Sequence, residues 1–152
     1  MANQQSRLHS RVFGYNAARW VAIAVEIAIT IWLLLMMSWV AFLMVIVTAI
    51  VVLFHIETEL DQEQQTLKIK ALWVPVKTCN LADIKEVAIP QEPLPLERNT
   101  FGVHFIGSAL SMHAGAANLV LEMTDGKTYR VTVDRPQQFV QRLNNAALNN
   151  AA

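Results

Sequence analysis

Apolar and polar positions along the chain separate into one long unbroken block and a region of short alternations that follows it. Residues 20–54 are 35 positions with a single charge, Glu26, and three other polar side chains, Thr30, Ser38 and Thr48. Bilayer hydrocarbon is ~30 Å thick and a helix rises ~1.5 Å per residue, so one helix through the block would be roughly 50 Å long, too long for a single span. Two shorter spans, residues 20–36 and 40–54, fit this arithmetic, with a turn at MMSW (36–39) where Trp39 suits an interface. One long tilted helix, or one span followed by a buried strand in TAIVVLFHIETEL, are the competing readings, the second because β-branched residues crowd the end of the block. A cleaved leader has a shorter apolar region and a small-residue cleavage site, and LFHIETEL offers none.

Beyond the block the period changes to two. HIETEL and TLKIKALWV are strand-like and DQEQQ is a connection between them; Leu67, Ile69, Ala71 and Trp73 form one apolar face of the second run, and Pro75 ends or kinks it. VKTCNLADIKEVAIP reads as a short strand followed by another through Val87 and Ile89. PQEPLPLERNT, with three prolines, reads as a surface loop, GVHFI as a strand, and GSALSMHAGAAN as an irregular connection. In NLVLEMTDGKTYRVTV two alternating runs flank Asp125-Gly126, a strong hairpin signal. DRPQQFVQRLNN predicts a closing helix with Asp134 at its N-cap and Pro136 in its first turn; the tail beyond Asn144 is expected to fray. The predicted organisation is a basic N-terminus (1–19), a two-helix membrane hairpin (20–54), a β-rich α+β domain, mainly antiparallel (55–144), and a flexible tail (145–152).

Charge adds orientation. Arg7, Arg11 and Arg19 precede the block without an acid among them, whereas residues 55–152 carry eleven acids and nine Lys and Arg. The basic flank predicts a cytoplasmic N-terminus, and two spans return the rest of the chain to the same side, giving a multi-pass membrane protein with both termini in the cytoplasm. A folded part that is slightly acidic argues against nucleic acid as a partner. The lone Cys79 permits no intramolecular disulfide and reads as a half-buried strand residue.

The soluble part resembles the bacterial pleckstrin-homology-like domains that hang from one or two membrane helices. The resemblance rests on TLKIKALWVPVKTCNLADIKEV, the proline-rich insertion, the MTDGKTYRVTV hairpin and the final DRPQQFVQRL helix, in that order over residues 57–144. The whole-chain layout, with YNAARW before the first span, is also similar to the small two-span EbsA-like membrane proteins of Gram-positive bacteria. The first resemblance implies a curved antiparallel sheet or barrel capped by a helix, a scaffold for lipid or protein binding; the second carries a label of pore formation. Neither supplies catalytic residues, and fold alone does not settle function.

The candidate residues are few. Glu26 is an intramembrane carboxylate about 9 Å along the helix from Trp20, with Arg19 on the same face and Thr48 across the hairpin as a hydrogen-bond partner. Arg11, Arg19, Lys68 and Lys70 are candidates for lipid-headgroup contact, each worth ~1 kcal/mol near an anionic leaflet. His104 and His113 have no third ligand at a recognised spacing, so no metal is expected; Ser108, Ser111 and His113 lie close together without an ordered acid. No glycine-rich phosphate loop is present and no cofactor is expected. These readings predict a non-enzymatic membrane protein whose partners are lipids and a membrane or cytoplasmic protein, including a second copy of itself; the alternative is an oligomeric pore-forming or transport-associated subunit.

Overall fold

The computed structural model describes residues 7–150. Among them the first element is a strand, not a flank: β1 (Arg7–Val12) pairs antiparallel with β2 (Ile56–Asp61), from Arg7 opposite Asp61 to Val12 opposite Ile56. Its alternation is Leu8 and Ser10 inward against Arg7, His9 and Arg11 outward. Arg7 and Arg11, expected to form only a basic flank, therefore occupy one face of a sheet.

Two helices lie between these paired strands. In α1 (Ala17–Leu35), Asn16 caps the start by accepting the Arg19 N–H at 2.8 Å through its side chain. Met37 adopts a positive φ of 51° in the turn, the Ser38 hydroxyl accepts the Val40 N–H at 3.3 Å, and α2 (Val40–Leu53) runs back along α1. The expected turn at residues 36–39 matches this one. Among the described residues α1 alone is long and apolar enough to cross a membrane, by length and composition; α2 is a shorter apolar helix of 14 residues.

The remainder is α+β. A four-stranded antiparallel sheet has the order β1-β2-β3-β4, with β3 (Thr66–Ala71) and β4 (Val74–Asn80). Pro75 stands opposite Lys70 at a register shift, so the ladder is bent at the proline and continues to Asn80. A 3-10 turn at Leu81–Asp83 leads to β5 (Ile84–Ala88) in a second sheet of order β5-β8-β9-β7-β6. Its other strands are β6 (Phe101–Ile106), β7 (Ala109–Ala114), β8 (Leu119–Met123) and β9 (Thr128–Val131). All pairs are antiparallel except β7 with β9. The Asp125-Gly126 turn joins β8 to β9 as predicted, Gly126 supplying φ 80°.

Three segments differ from the expectation. The proline-rich loop contains the short helix α3 (Pro95–Asn99), begun by Pro95 at the first helical position. Half of GSALSMHAGAAN is β7, which is buried on both faces: Met112 and Ala114 enter the core, and the polar Ser111 and His113 are buried on the opposite face. The closing helix α4 (Pro136–Asn150) starts at Pro136, so the cap position falls on Arg135 instead of Asp134; the backbone N–H of Asp134 donates to Ser10 at 2.8 Å. α4 also runs past Asn144 to Asn150, where fraying was expected, while residues 151–152 lie outside the described residues.

One apolar core joins the layers: Ile56, Leu60, Leu67 and Ile69 from the first sheet, Met112, Leu119, Leu121 and Val131 from the second, and Phe139 and Leu143 from α4. Trp73, expected on the inner face of β3, sits instead in the two-residue turn before β4, largely exposed.

Candidate functional site

The junction between the helices and the sheets is built around Arg19. Placed seven residues before Glu26, this side chain was expected to meet headgroups; it is 1% exposed. Its guanidinium donates to the carbonyls of Val51, Val52 and Phe54 at 2.6–3.1 Å, and to Phe13. The physical reason is the end of α2: its last carbonyls have no intrahelical donor and carry the negative end of the helix dipole, so a cation is held there more strongly than at the surface. Tyr15 and Phe101 cover the guanidinium with their rings at 4.5 and 5.0 Å. The Tyr15 hydroxyl donates to Val52 at 2.8 Å, and Asn16 donates to the Arg98 carbonyl of α3 at 2.8 Å. The base of the hairpin is thus fastened to α3 by the Asn16 bond and to β6 by the Phe101 ring over the guanidinium.

Inside the hairpin, Glu26 and Thr48 do not pair. One carboxylate oxygen of Glu26 and the Thr48 hydroxyl are buried atoms without a hydrogen-bond partner, while Thr30 donates to the Glu26 backbone carbonyl at 2.7 Å. Thr30 and Thr48 line an otherwise apolar groove of about 400 Å³ between α1 and α2.

The other expected lipid contacts lie on the outer face of the first sheet, where basic strands flank an acidic one. Arg11 approaches Glu57 at 3.7 Å, Lys70 meets Glu59 at 3.4 Å, and Arg7 meets Asp61 at 3.3 Å. Lys68 donates to Gln64 at 3.3 Å. His9 lies 2.5 Å from Glu57, and that bond holds the Glu57 carboxyl below its usual range against the opposing effect of burial. Arg11, Lys68 and Lys70 are therefore part of a charge-alternating face, not a free cationic patch.

A polar network that the sequence did not announce crosses the second sheet. Glu97 of α3 is fully buried and accepts two bonds from Arg130, at 2.6 and 2.9 Å, and one from the Ser111 hydroxyl at 2.8 Å. Ser111 also meets His113 Nδ1 at 3.0 Å, and His113 Nε2 meets Thr100 at 2.9 Å. Burial raises the Glu97 carboxyl, but Arg130 and Ser111 outweigh it and hold the group below its usual value. Burial, reinforced by His104, pushes His113 down, so its neutral form is favoured. An ordered acid does accompany Ser111 and His113. However, the serine stands between acid and imidazole, whereas nucleophile activation needs the imidazole in the middle, and all three residues are fully buried.

Cys79, expected to be half-buried, is fully buried at 2% exposure, and burial pushes its thiol up, away from the reactive thiolate. Neighbouring Lys77 rests on the Tyr129 ring at 5.0 Å. Among the described residues no three His, Cys, Asp or Glu side chains converge on a metal position. The His104 and His113 rings lie tilted to each other with centroids 5.1 Å apart, but both nitrogens of His113 already have partners. No family model matches the chain, and no curated protein matches it.

Proposed function

We propose that the chain is a non-enzymatic integral membrane protein, in which a two-span hairpin holds a pleckstrin-homology-like domain at the cytoplasmic leaflet to bind a protein or lipid headgroups. The observation that carries this reading is the surface of the hairpin. Of the 26 exposed large apolar side chains among the described residues, 20 lie between Tyr15 and Leu53. Water does not tolerate a continuous apolar surface of that size, and lipid does.

The pairing of β1 with β2 supports the two-span count, because strands hydrogen-bonded to each other must lie on one side of a membrane. Arg7 and Arg11 act on topology before β1 finds β2, so their ion pairs in the folded sheet do not weaken the orientation. Reporter fusions at both ends test the arrangement, with both termini expected in the cytoplasm; an extracytoplasmic C-terminus refutes it. A pull-down in mild detergent, compared with a chain lacking residues 57–144, tests whether the domain is the binding element.

The oligomeric pore-forming or transport-associated alternative is favoured by one observation: Glu26 and Thr48 each bury a polar atom that a single hairpin leaves without a partner. Liposomes discriminate between the two readings. Solute leak through cross-linkable oligomers supports the alternative; a monomer that leaks nothing removes it.

A further inference from the structure

The β3–β4 turn has the wrong residues for a loop in water. Two-residue hairpin turns favour Asn-Gly or Asp-Gly because the backbone must enter the positive-φ region. Here the residues are Leu72 and Trp73, and Leu72 takes φ 57°, a left-handed conformation that crowds its Cβ against the following carbonyl. Trp73 and Val74 are each 63% exposed, and the run ALWVPV from residue 71 to 76 contains no charge. In water, neither the strain nor the exposed apolar surface contributes to stability.

The turn's position gives both a use. Ala71 and Val74 flank it, and Ala71 pairs with Ile56, two residues after Phe54 at the end of α2. The Leu72 N–H donates to the His55 carbonyl at 2.8 Å, tying the turn directly to the hairpin junction. Aromatic rings then run without a break across the base of the hairpin. Trp73 lies edge-on to His55 at 5.6 Å, His55 meets Phe13 at 5.1 Å, Phe13 stacks with Tyr15 at 6.1 Å, and Tyr15 with Trp20 at 5.4 Å. Trp and Tyr with one apolar and one polar end are the side chains that gather at headgroup level. The row ends in an exposed tryptophan on each side, Trp20 on α1 and Trp73 on the sheet.

We infer that the Leu72-Trp73-Val74 turn is a further point of membrane attachment, seated in the interfacial zone of the same leaflet the hairpin enters. It fixes the domain with this edge of the first sheet against the lipid, so the partner-binding surface must lie on what remains exposed. The inference rests on the membrane reading proposed above.

It is tested with the full chain carrying Trp20→Phe, Trp32→Phe and Trp39→Phe, reconstituted in phosphatidylcholine–phosphatidylglycerol vesicles containing lipids brominated near the carbonyl or deep in the acyl chain. Trp73 fluorescence is expected to be blue-shifted, to lose most of its intensity with the shallow bromine and less with the deep one, and to resist acrylamide. If the triple variant does not fold, the difference between wild type and Trp73→Phe reads the same signal. Protein that floats with the vesicles while Trp73 remains unquenched by either lipid overturns the inference and leaves the membrane reading standing. Emission that is blue-shifted yet unquenched means that a protein surface or a second copy covers the turn, and also overturns it. Protein that does not float with vesicles refutes the membrane reading itself, and the inference with it.

Discussion

Replacing Arg130 by methionine removes the counter-charge of a carboxylate that has no access to water. Glu97 has no exposed side-chain surface and takes two of its bonds from Arg130, whose own side chain is 12% exposed. Breaking a buried pair by deleting one partner costs about 3–5 kcal/mol, because the remaining charge must stay desolvated or take up a proton. With a urea slope of about 2 kcal/mol/M, the unfolding midpoint of the β-rich domain should fall by roughly 1.5–2.5 M. The assay is urea unfolding of the detergent-solubilised protein followed by hydrogen exchange of the β7 and β9 amides, which reads the second sheet and not the hairpin. The double variant Glu97→Leu/Arg130→Met should be less destabilised than Arg130→Met alone, since no orphaned charge is left. A single variant within about 0.5 kcal/mol of wild type, or a double variant no better than the single, would refute the view that this pair is a desolvated, mutually dependent unit.

The same network predicts a two-stage acid response. His113 is held neutral, so the unfolded chain takes up a proton first and stability declines as pH falls below about 6.5; Glu97 is held ionised, and its contribution is lost as pH falls further, below about 4.5. His113→Gln should flatten the upper stage in the urea midpoint measured against pH, and an unchanged profile contradicts the assignment. Arg19→Leu leaves the carbonyls of Val51, Val52 and Phe54 without their donor, each charge-assisted bond being worth about 1.5–3 kcal/mol, and hydrogen exchange around the junction should accelerate. Exchange matching wild type would mean that water replaces the guanidinium freely. Glu26→Gln should preserve insertion and partner binding, since the carboxylate makes no ion pair in the hairpin; loss of an ion-dependent flux would instead favour the transport alternative. Gly14→Ala should misfold the junction: Gly14 has φ 57°, and an added Cβ would lie 1.7 Å from the Ala114 carbonyl oxygen, a backbone atom that cannot swing aside. A soluble, normally unfolding variant would disprove that close approach.

The features legible in the sequence are those whose signal is local. The apolar block announces its helices because 35 residues with one charge have few other uses, and Asp125-Gly126 announces its hairpin because the turn demands that backbone. Arg7, Arg11 and Arg19 were legible as charges but not as structure. RLHSRV becomes a strand only through β2, and the acids that neutralise Arg7 and Arg11 arrive some fifty residues later, after the chain has gone out and back through the hairpin. Arg19 resembles an interfacial cation until α2 returns its carbonyls to the same point.

β7 was hidden for a different reason. Alternation identifies a strand when one face is apolar and the other is exposed and polar, but both faces of β7 are buried: Met112 and Ala114 enter the core, while Ser111 and His113 on the opposite face meet Glu97 and Thr100 on and just after α3. That helix was itself masked by the prolines around it, although Pro95 is what starts it. Two unread segments thus conceal each other: each makes sense only as the other's hydrogen-bond partner. Because α3 also accepts the Asn16 bond at the foot of α1, this hidden pair of elements is where the second sheet is tied to the hairpin. A chain of contacts therefore runs from Glu97 through α3 to the base of α1 as well as into the sheet, an arrangement that no periodicity in the sequence could reveal.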